Sequence, residues 1–290
     1  MDVSAPGRRF ELAEIAWSQV AELDPGRTAV FLVSGPLEQH GPHLPLGTDV
    51  FQATLVLDTI VERVTAAGWN ALIAPTLPYT TAVLSRTYPG SVSIRSRHLV
   101  GFFADVLNSF AGNGLRDLVV CSQHLDPPHV LAWEEACRQA GRDTGARAIE
   151  GYERLVIDDL RTGALEPLLG AWSETDSHAG IFETSVMRVA RADLAPREAA
   201  DRLEPAPVSF DELRAARDFR ELANGLGYTG HPAVADEEIG RELVRRYATG
   251  FGDLVLEHLA GGDVRERLSI AHVFDRDGGN GTAHHRESLG

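Results

Sequence analysis

Four residues able to ligate a metal ion fall within one short run, Glu38-Gln39-His40-Gly41-Pro42-His43-Leu44-Pro45-Leu46-Gly47-Thr48-Asp49. They are Glu38, His40, His43 and Asp49. Carboxylates and imidazoles without thiolates suit a reactive zinc, manganese or iron ion better than a structural zinc site. Side chains alternate along an extended chain, so Glu38 and His40 share a face if the chain runs straight through them. Pro42 and Pro45 stiffen a turn that can return Asp49 toward the pair.

A second run, Ser122-Gln123-His124-Leu125-Asp126-Pro127, repeats that spacing with His124 and Asp126. Glu38, His40, Asp49, His124 and Asp126, with one shared carboxylate, suit two divalent ions that activate a water between them. A third cluster is Asp176-Ser177-His178-Ala179-Gly180-Ile181-Phe182-Glu183. His178 is placed to shuttle a proton. Glu183 opens a helix, where an acid either stabilises the N-terminus or serves the metal centre. The bland alternatives are a polar loop with a capping acid, and a satisfied buried histidine at position 124.

The elements that must position these groups follow from hydrophobic period. Ala29-Val30-Phe31-Leu32-Val33-Ser34 leads into the first run and reads as a buried strand. Helical spacing over 49–67 follows, with Thr48 as its N-cap and Gly68 as its stop. Ala71–Pro75 and Leu118–Cys121 read as further strands, and 146–149 as a weak one. Helices are expected over 8–24, 97–112, 128–140, 152–163, 181–193, 209–224 and 235–260. The long connection from Thr76 to Arg95 is expected to be functional. Alternating buried strands and helices argue for an α/β fold, a three-layer αβα sandwich with a mostly parallel central sheet. In such sheets, sites gather beyond the carboxyl ends of the strands. The expected organisation is a single domain over 1–275 and a disordered polar tail over 276–290.

Composition narrows the partners. The net charge is −15, from 42 acids against 27 bases. That balance disfavours nucleic acid and anionic membranes, both of which need a basic surface. No apolar run is long enough to span a bilayer, and the N-terminus lacks the pattern of a signal peptide. Two cysteines, Cys121 and Cys137, exclude a disulfide framework and fit a reduced, cytoplasmic setting. A small molecule is the expected substrate.

The three clusters together resemble the creatininase family of metal-dependent amidohydrolases. Glu38-Gln39-His40-Gly41-Pro42-His43-Leu44-Pro45 through Asp49 is similar to the family's leading motif, and His178-Ala179-Gly180 with Glu183-Thr184-Ser185 to a second. Pro89-Gly90-Ser91 and Gly227-Tyr228-Thr229-Gly230-His231-Pro232 resemble weaker landmarks. The resemblance implies an αβα domain, two divalent ions per subunit (zinc first, manganese or iron as alternatives) and a homo-oligomer, often a hexamer. It implies Glu38 and His124 on one ion, His40 and Asp126 on the other, Asp49 bridging, and His178 moving the proton. Many members carry Gly-Gly-Asn after the histidine of the third strand, where this chain has Leu125-Asp126-Pro127. Asp126 is one methylene shorter than glutamate, so Glu183 is the substitute if its reach falls short. The expected activity is hydrolysis of a non-peptide C–N bond in a cyclic amide, a formamide or a small amide by a metal-bridging hydroxide. The competing readings are a non-catalytic binding or assembly subunit, a peptide-processing hydrolase, and a metal-dependent lyase or isomerase.

Overall fold

The computed structural model describes residues 5–222 and 225–270. Its five strands are β1 (Arg9–Glu11), β2 (Thr28–Val33), β3 (Asn70–Ile73), β4 (Asp117–Cys121) and β5 (Arg147–Ile149). They form one sheet in the order β1-β3-β2-β4-β5, parallel at every pairing. Eleven α-helical segments accompany them among the described residues. The first six are α1 (Trp17–Ala21), α2 (Thr48–Ala66), α3 (Ser96–Gly112), α4 (Pro127–Thr144), α5 (Tyr152–Thr162) and α6 (Glu166–Leu169). The rest are α7 (Ile181–Ala190), α8 (Arg197–Ala200), α9 (Phe210–Ala215), α10 (Glu237–Leu259) and α11 (Arg265–Leu268).

Strand alternation sorts the core into two layers. Ala29, Phe31 and Val33 of β2 face a cluster with Val56, Ile60, Leu243 and Phe251, from α2 and α10. Val30 and Leu32 face the other way, onto Phe103, Leu107 and Trp133 of α3 and α4. Phe103 and Trp133 stack with ring centroids 3.7 Å apart. Each such fully buried side chain contributes roughly 1.5–3 kcal/mol relative to exposure. The αβα sandwich with a parallel sheet is therefore what the chain forms.

Three local expectations differ from the structure. The first helix expected over 8–24 is instead the edge strand β1, a short 3₁₀ turn and the brief α1. Arg9, Phe10 and Glu11 pair with Ala71, Leu72 and Ile73, so sheet extension overrides a helix-like apolar period. Thr48 is not the N-cap of α2 but its first residue. Its hydroxyl donates to the Pro45 carbonyl at 2.8 Å, while Gly47 occupies the cap position. Helix 209–224 reduces to α9 and a 3₁₀ turn over Phe219–Glu221. The tail over 276–290 lies outside the described residues.

Topology places the candidate ligands together. From β2 the chain goes through α2 to β3 on one side, then crosses to β4 on the other. The gap beyond the carboxyl ends of β2 and β4 is thus the switch point of the sheet, where such folds bind ligands.

Candidate metal centre

Beyond β2 the chain stays nearly extended and then folds back. The Glu38 amide donates to the Leu46 carbonyl at 2.9 Å, closing the loop. Gly41 sits at the mouth of the turn with φ +66°, a conformation that suits glycine. Gly35 allows the start of α2 to approach: a Cβ there would lie 3.0 Å from the Asp49 Cβ. Glu38, His40 and Asp49 all end up buried.

His40 and Asp49 lie 3.3 Å apart, Nε2 to Oδ1. The other Asp49 oxygen is 3.6 Å from His124 Nδ1, which is also 3.1 Å from Glu38 Oε2. Glu183 Oε2 reaches within 3.7 Å of His40 Nε2. Two triads with metal-binding spacing result, Glu38–Asp49–His124 and His40–Asp49–Glu183, and Asp49 belongs to both. A third combination, Glu38–His40–His178, has similar spacing. Asp126 belongs to none of them among the described residues. Its Oδ2 accepts from Thr81 Oγ1 at 2.8 Å and from the Val83 amide at 3.1 Å. It stands 3.8 Å from His124 Nε2, the ring nitrogen that the two triads do not use. His43 faces Thr184, its Nε2 2.9 Å from the hydroxyl, and joins none of the triads.

Each imidazole is oriented by its other nitrogen. His40 Nδ1 lies 3.0 Å from the Glu38 carbonyl, and His124 Nε2 lies 2.8 Å from the Thr81 carbonyl. A carbonyl accepts only an N–H, so the tautomers are fixed with His40 Nε2 and His124 Nδ1 presenting lone pairs to the centre. Glu38 is held from behind by Ser85, whose hydroxyl donates to Oε1 at 2.5 Å.

The orphaned atoms test whether metal fits. Glu38 Oε2, His40 Nε2 and both Asp49 carboxylate oxygens are buried with no hydrogen-bond partner among the described residues. Four such atoms converging on one point would be costly unless a cation satisfied them. The donors are oxygen and nitrogen, the set that zinc and manganese take in reactive sites. The residues present therefore fit divalent metal. Protons compete for the same atoms. Burial opposes charge on His40, yet Asp49 and Glu183 raise its pKa to about 10. His124 is likewise raised well above the ordinary imidazole value by Glu38, against burial. Burial pushes Glu183 up to about 7, opposed by His40.

His178 lies against this centre, its ring 4.5 Å from that of His40 and stacked on Phe219 at 4.3 Å. Its Nε2 is 2.9 Å from the Gln39 carbonyl, and Nδ1 faces Glu183 at 3.9 Å. Burial and the charge of His40 lower its pKa to about 4, so the ring is neutral near pH 7 and able to accept a proton. The backbone here is unusual. Ala179 has φ +51°, the one non-glycine residue at positive φ among those described. Strain of this kind persists where the surroundings hold it in place. The Ala179 amide donates to Glu183 Oε2 at 2.5 Å, so the same carboxylate caps the start of α7. Asp176 does likewise, accepting from the Ile181 and Phe182 amides at 2.5 and 2.9 Å.

Several positioning residues escaped the sequence reading. Thr229 Oγ1 accepts from the amides of Ser177 and His178 at 3.0 and 2.9 Å, and its own amide donates to the His178 carbonyl at 2.7 Å. Gly230, at φ +77°, leaves room for Asp176, and a Cβ there would collide with that carboxylate. Gln39 Nε2 donates to Ser85 Oγ at 3.3 Å, and Gln39 Oε1 accepts from the Gly41 amide at 3.0 Å. Signals existed only as the Gly-rich run 227–232 and as the long connection 76–95, which supplies Thr81 and Ser85.

A parallel αβα sandwich thus carries two carboxylate–imidazole triads of metal-binding spacing at its switch point, and known proteins give the class. The creatininase family profile, described as creatinine amidohydrolase, matches residues 13–255. The chain belongs to the creatininase family. It is 28% identical over 261 residues to a creatinine amidohydrolase of Pseudomonas putida, covering 85% of this chain and 96% of that protein. It is also 28% identical over 228 residues to a mycofactocin precursor peptide peptidase of Mycolicibacterium smegmatis, covering 78% and 83%. A crystal structure of creatinine amidohydrolase superimposes with a TM-score of 0.70 at 24% identity, covering 88% of this chain and 99% of that one. The two kinds of relative act on different bonds, so membership defines a hydrolase and leaves its substrate to the site.

Proposed function

We propose that this protein is a dinuclear metal-dependent amidohydrolase that cleaves a non-peptide C–N bond in a small amide, formamide or cyclic amide. The observation that carries the reading is the pair of triads sharing Asp49, with four buried atoms aimed at their common centre. Glu38, Asp49 and His124 would hold one ion, and His40, Asp49 and Glu183 the other. Zinc is the first choice and manganese the second; solved creatininases include a Zn-Zn form and an Mn form. When bound, such a pair supplies a water acidified toward neutral pH and a Lewis acid for the substrate carbonyl.

The chain's own groups do the rest. Ser85 and the Glu38 and Thr81 carbonyls hold the ligands in one orientation, so the centre needs little reorganisation during reaction. His178 accepts a proton at Nδ1, on the side facing Glu183, and delivers it to the leaving nitrogen. Thr229 and Gln39 fix the ring for that transfer. Asp126, held by Thr81 and Val83, sits behind His124 and steadies it.

The test is hydrolysis of a panel of lactams, formamides and primary amides by zinc- and manganese-loaded protein in ¹⁸O-labelled water. The reading requires one labelled oxygen in the acid product and no turnover by Glu38→Gln. Product formed without label would point to a lyase or isomerase instead.

A further inference from the structure

We infer that the cleft beside the centre selects uncharged amides carrying a compact apolar group on the acyl side; this rests on the hydrolase reading above. His178 and Glu183 of the centre line the cleft. Its apolar lining is Leu125 from the loop after β4, Val156 and Leu160 one turn apart on α5, and Phe182 on α7. None of the lining side chains among the described residues is cationic. Asp176 also borders the cleft, but both of its carboxylate oxygens are taken by the Ile181 and Phe182 amides. The remaining polar neighbours, Gln123, Tyr152 and Ser177, are uncharged.

A carboxylate on the substrate would therefore enter a lining without a cationic partner, beside the acids of the centre. An ammonium group would lose its hydration with no carboxylate to receive it beyond Asp176, held by the α7 amides, and Glu183, which belongs to the centre. Both are strongly disfavoured in a site of this kind. The leaving nitrogen must lie against His178 to receive its proton, which leaves the apolar lining of Leu125, Val156 and Leu160 to the acyl half.

Size is limited as well. The free volume is about 30 Å³. A single water needs about 10–15 Å³ on that measure, so the cleft accommodates a couple of waters. Leu125, Leu160 and Phe182 are only partly buried and can swing aside. Val156 and Tyr152 are buried in the core and cannot. An isobutyl-sized group seats by displacing the waters and the movable side chains.

Metal-directed hydroxamates read this preference without turnover. The zinc-loaded protein is titrated by calorimetry with 4-methylpentanohydroxamic acid and with the monohydroxamate of succinic acid. The apolar compound is expected to bind at least about 10-fold more tightly, the lower end of what hydrophobic pockets discriminate. Leu160→Arg is expected to narrow or invert that ratio at unchanged zinc content. Leu125→Gln, a smaller change, is expected to weaken the apolar compound alone. A zinc-loaded protein that binds the anionic compound equally well or better overturns the inference and leaves the hydrolase reading standing. A folded protein that takes up no zinc overturns both.

Discussion

Asp49→Asn is the most informative single substitution, because this one carboxylate joins both triads. Its oxygens lie 3.3 Å from His40 Nε2 and 3.6 Å from His124 Nδ1, and neither has another partner among the described residues. The amide keeps the shape and removes the charge, leaving each ion with two anionic or imidazole ligands from the protein. Loss of a group that merely orients a ligand typically lowers metal affinity about 10–100-fold, so loss of a ligand should cost at least about 100-fold. At a zinc concentration about 1,000 times the wild-type Kd, binding stabilises the fold by about 4.1 kcal/mol. A 100-fold weaker variant keeps about 1.4 kcal/mol at the same concentration. At roughly 2 °C per kcal/mol for a chain of this size, the zinc-induced rise in Tm should fall from roughly 8 °C to roughly 3 °C. Differential scanning fluorimetry of chelated and zinc-loaded protein reads the shift, and mass spectrometry of the desalted protein reads the stoichiometry. Equal metal content and an equal Tm rise in the variant would refute the shared role of Asp49.

His178→Ala should lower kcat by about 10²–10⁴-fold, the range for a lost general acid–base group, while metal content stays at the wild-type level. Thr229→Val leaves the Ser177 and His178 amides without their acceptor. It should destabilise the fold by about 1–3 kcal/mol and lower kcat more than it raises KM, as steady-state kinetics and thermal unfolding would show. Far from the centre, His258 is buried against the Arg147 carbonyl, and burial first, then Arg147 and Arg265, lowers its pKa to about 4. Its unfolded form takes up a proton near pH 6.5, so the folded state loses stability as pH falls from about 6.5 toward 4, by about 1.4 kcal/mol per unit. Denaturant titrations across that range should show the slope reduced by one proton in His258→Gln.

The central sheet was legible because its strands are buried on both faces. Ala29–Val33 and Leu118–Cys121 are uninterrupted apolar runs, and helices of strong period separate them. β1 was not legible: three residues cannot display a period, and their partners in β3 lie 62 positions away. The same distinction governs the site. Glu38, His40 and Asp49 are local to one turn, so their types and spacing announced them. Ser85 and Thr229 are common hydroxyl residues, and their meaning comes from contacts 47 and 51 positions away. Asp126 has the same spacing in a different setting. It mirrors His40 in the pattern, yet the chain turns into Pro127 and α4 there, directing the carboxylate to Thr81 and Val83. Glu183 arrives from a separate helix, just after the left-handed step at Ala179, and lies beside His40.

Anomalous scattering from crystals of the zinc- or manganese-loaded protein tests the central claim most directly. The account predicts two peaks per subunit, roughly 3.5–4 Å apart. Asp49 should lie between them, Glu38 and His124 on one, and His40 and Glu183 on the other. A single peak, or a second ion ligated by Asp126 with Glu183 turned away, would contradict it.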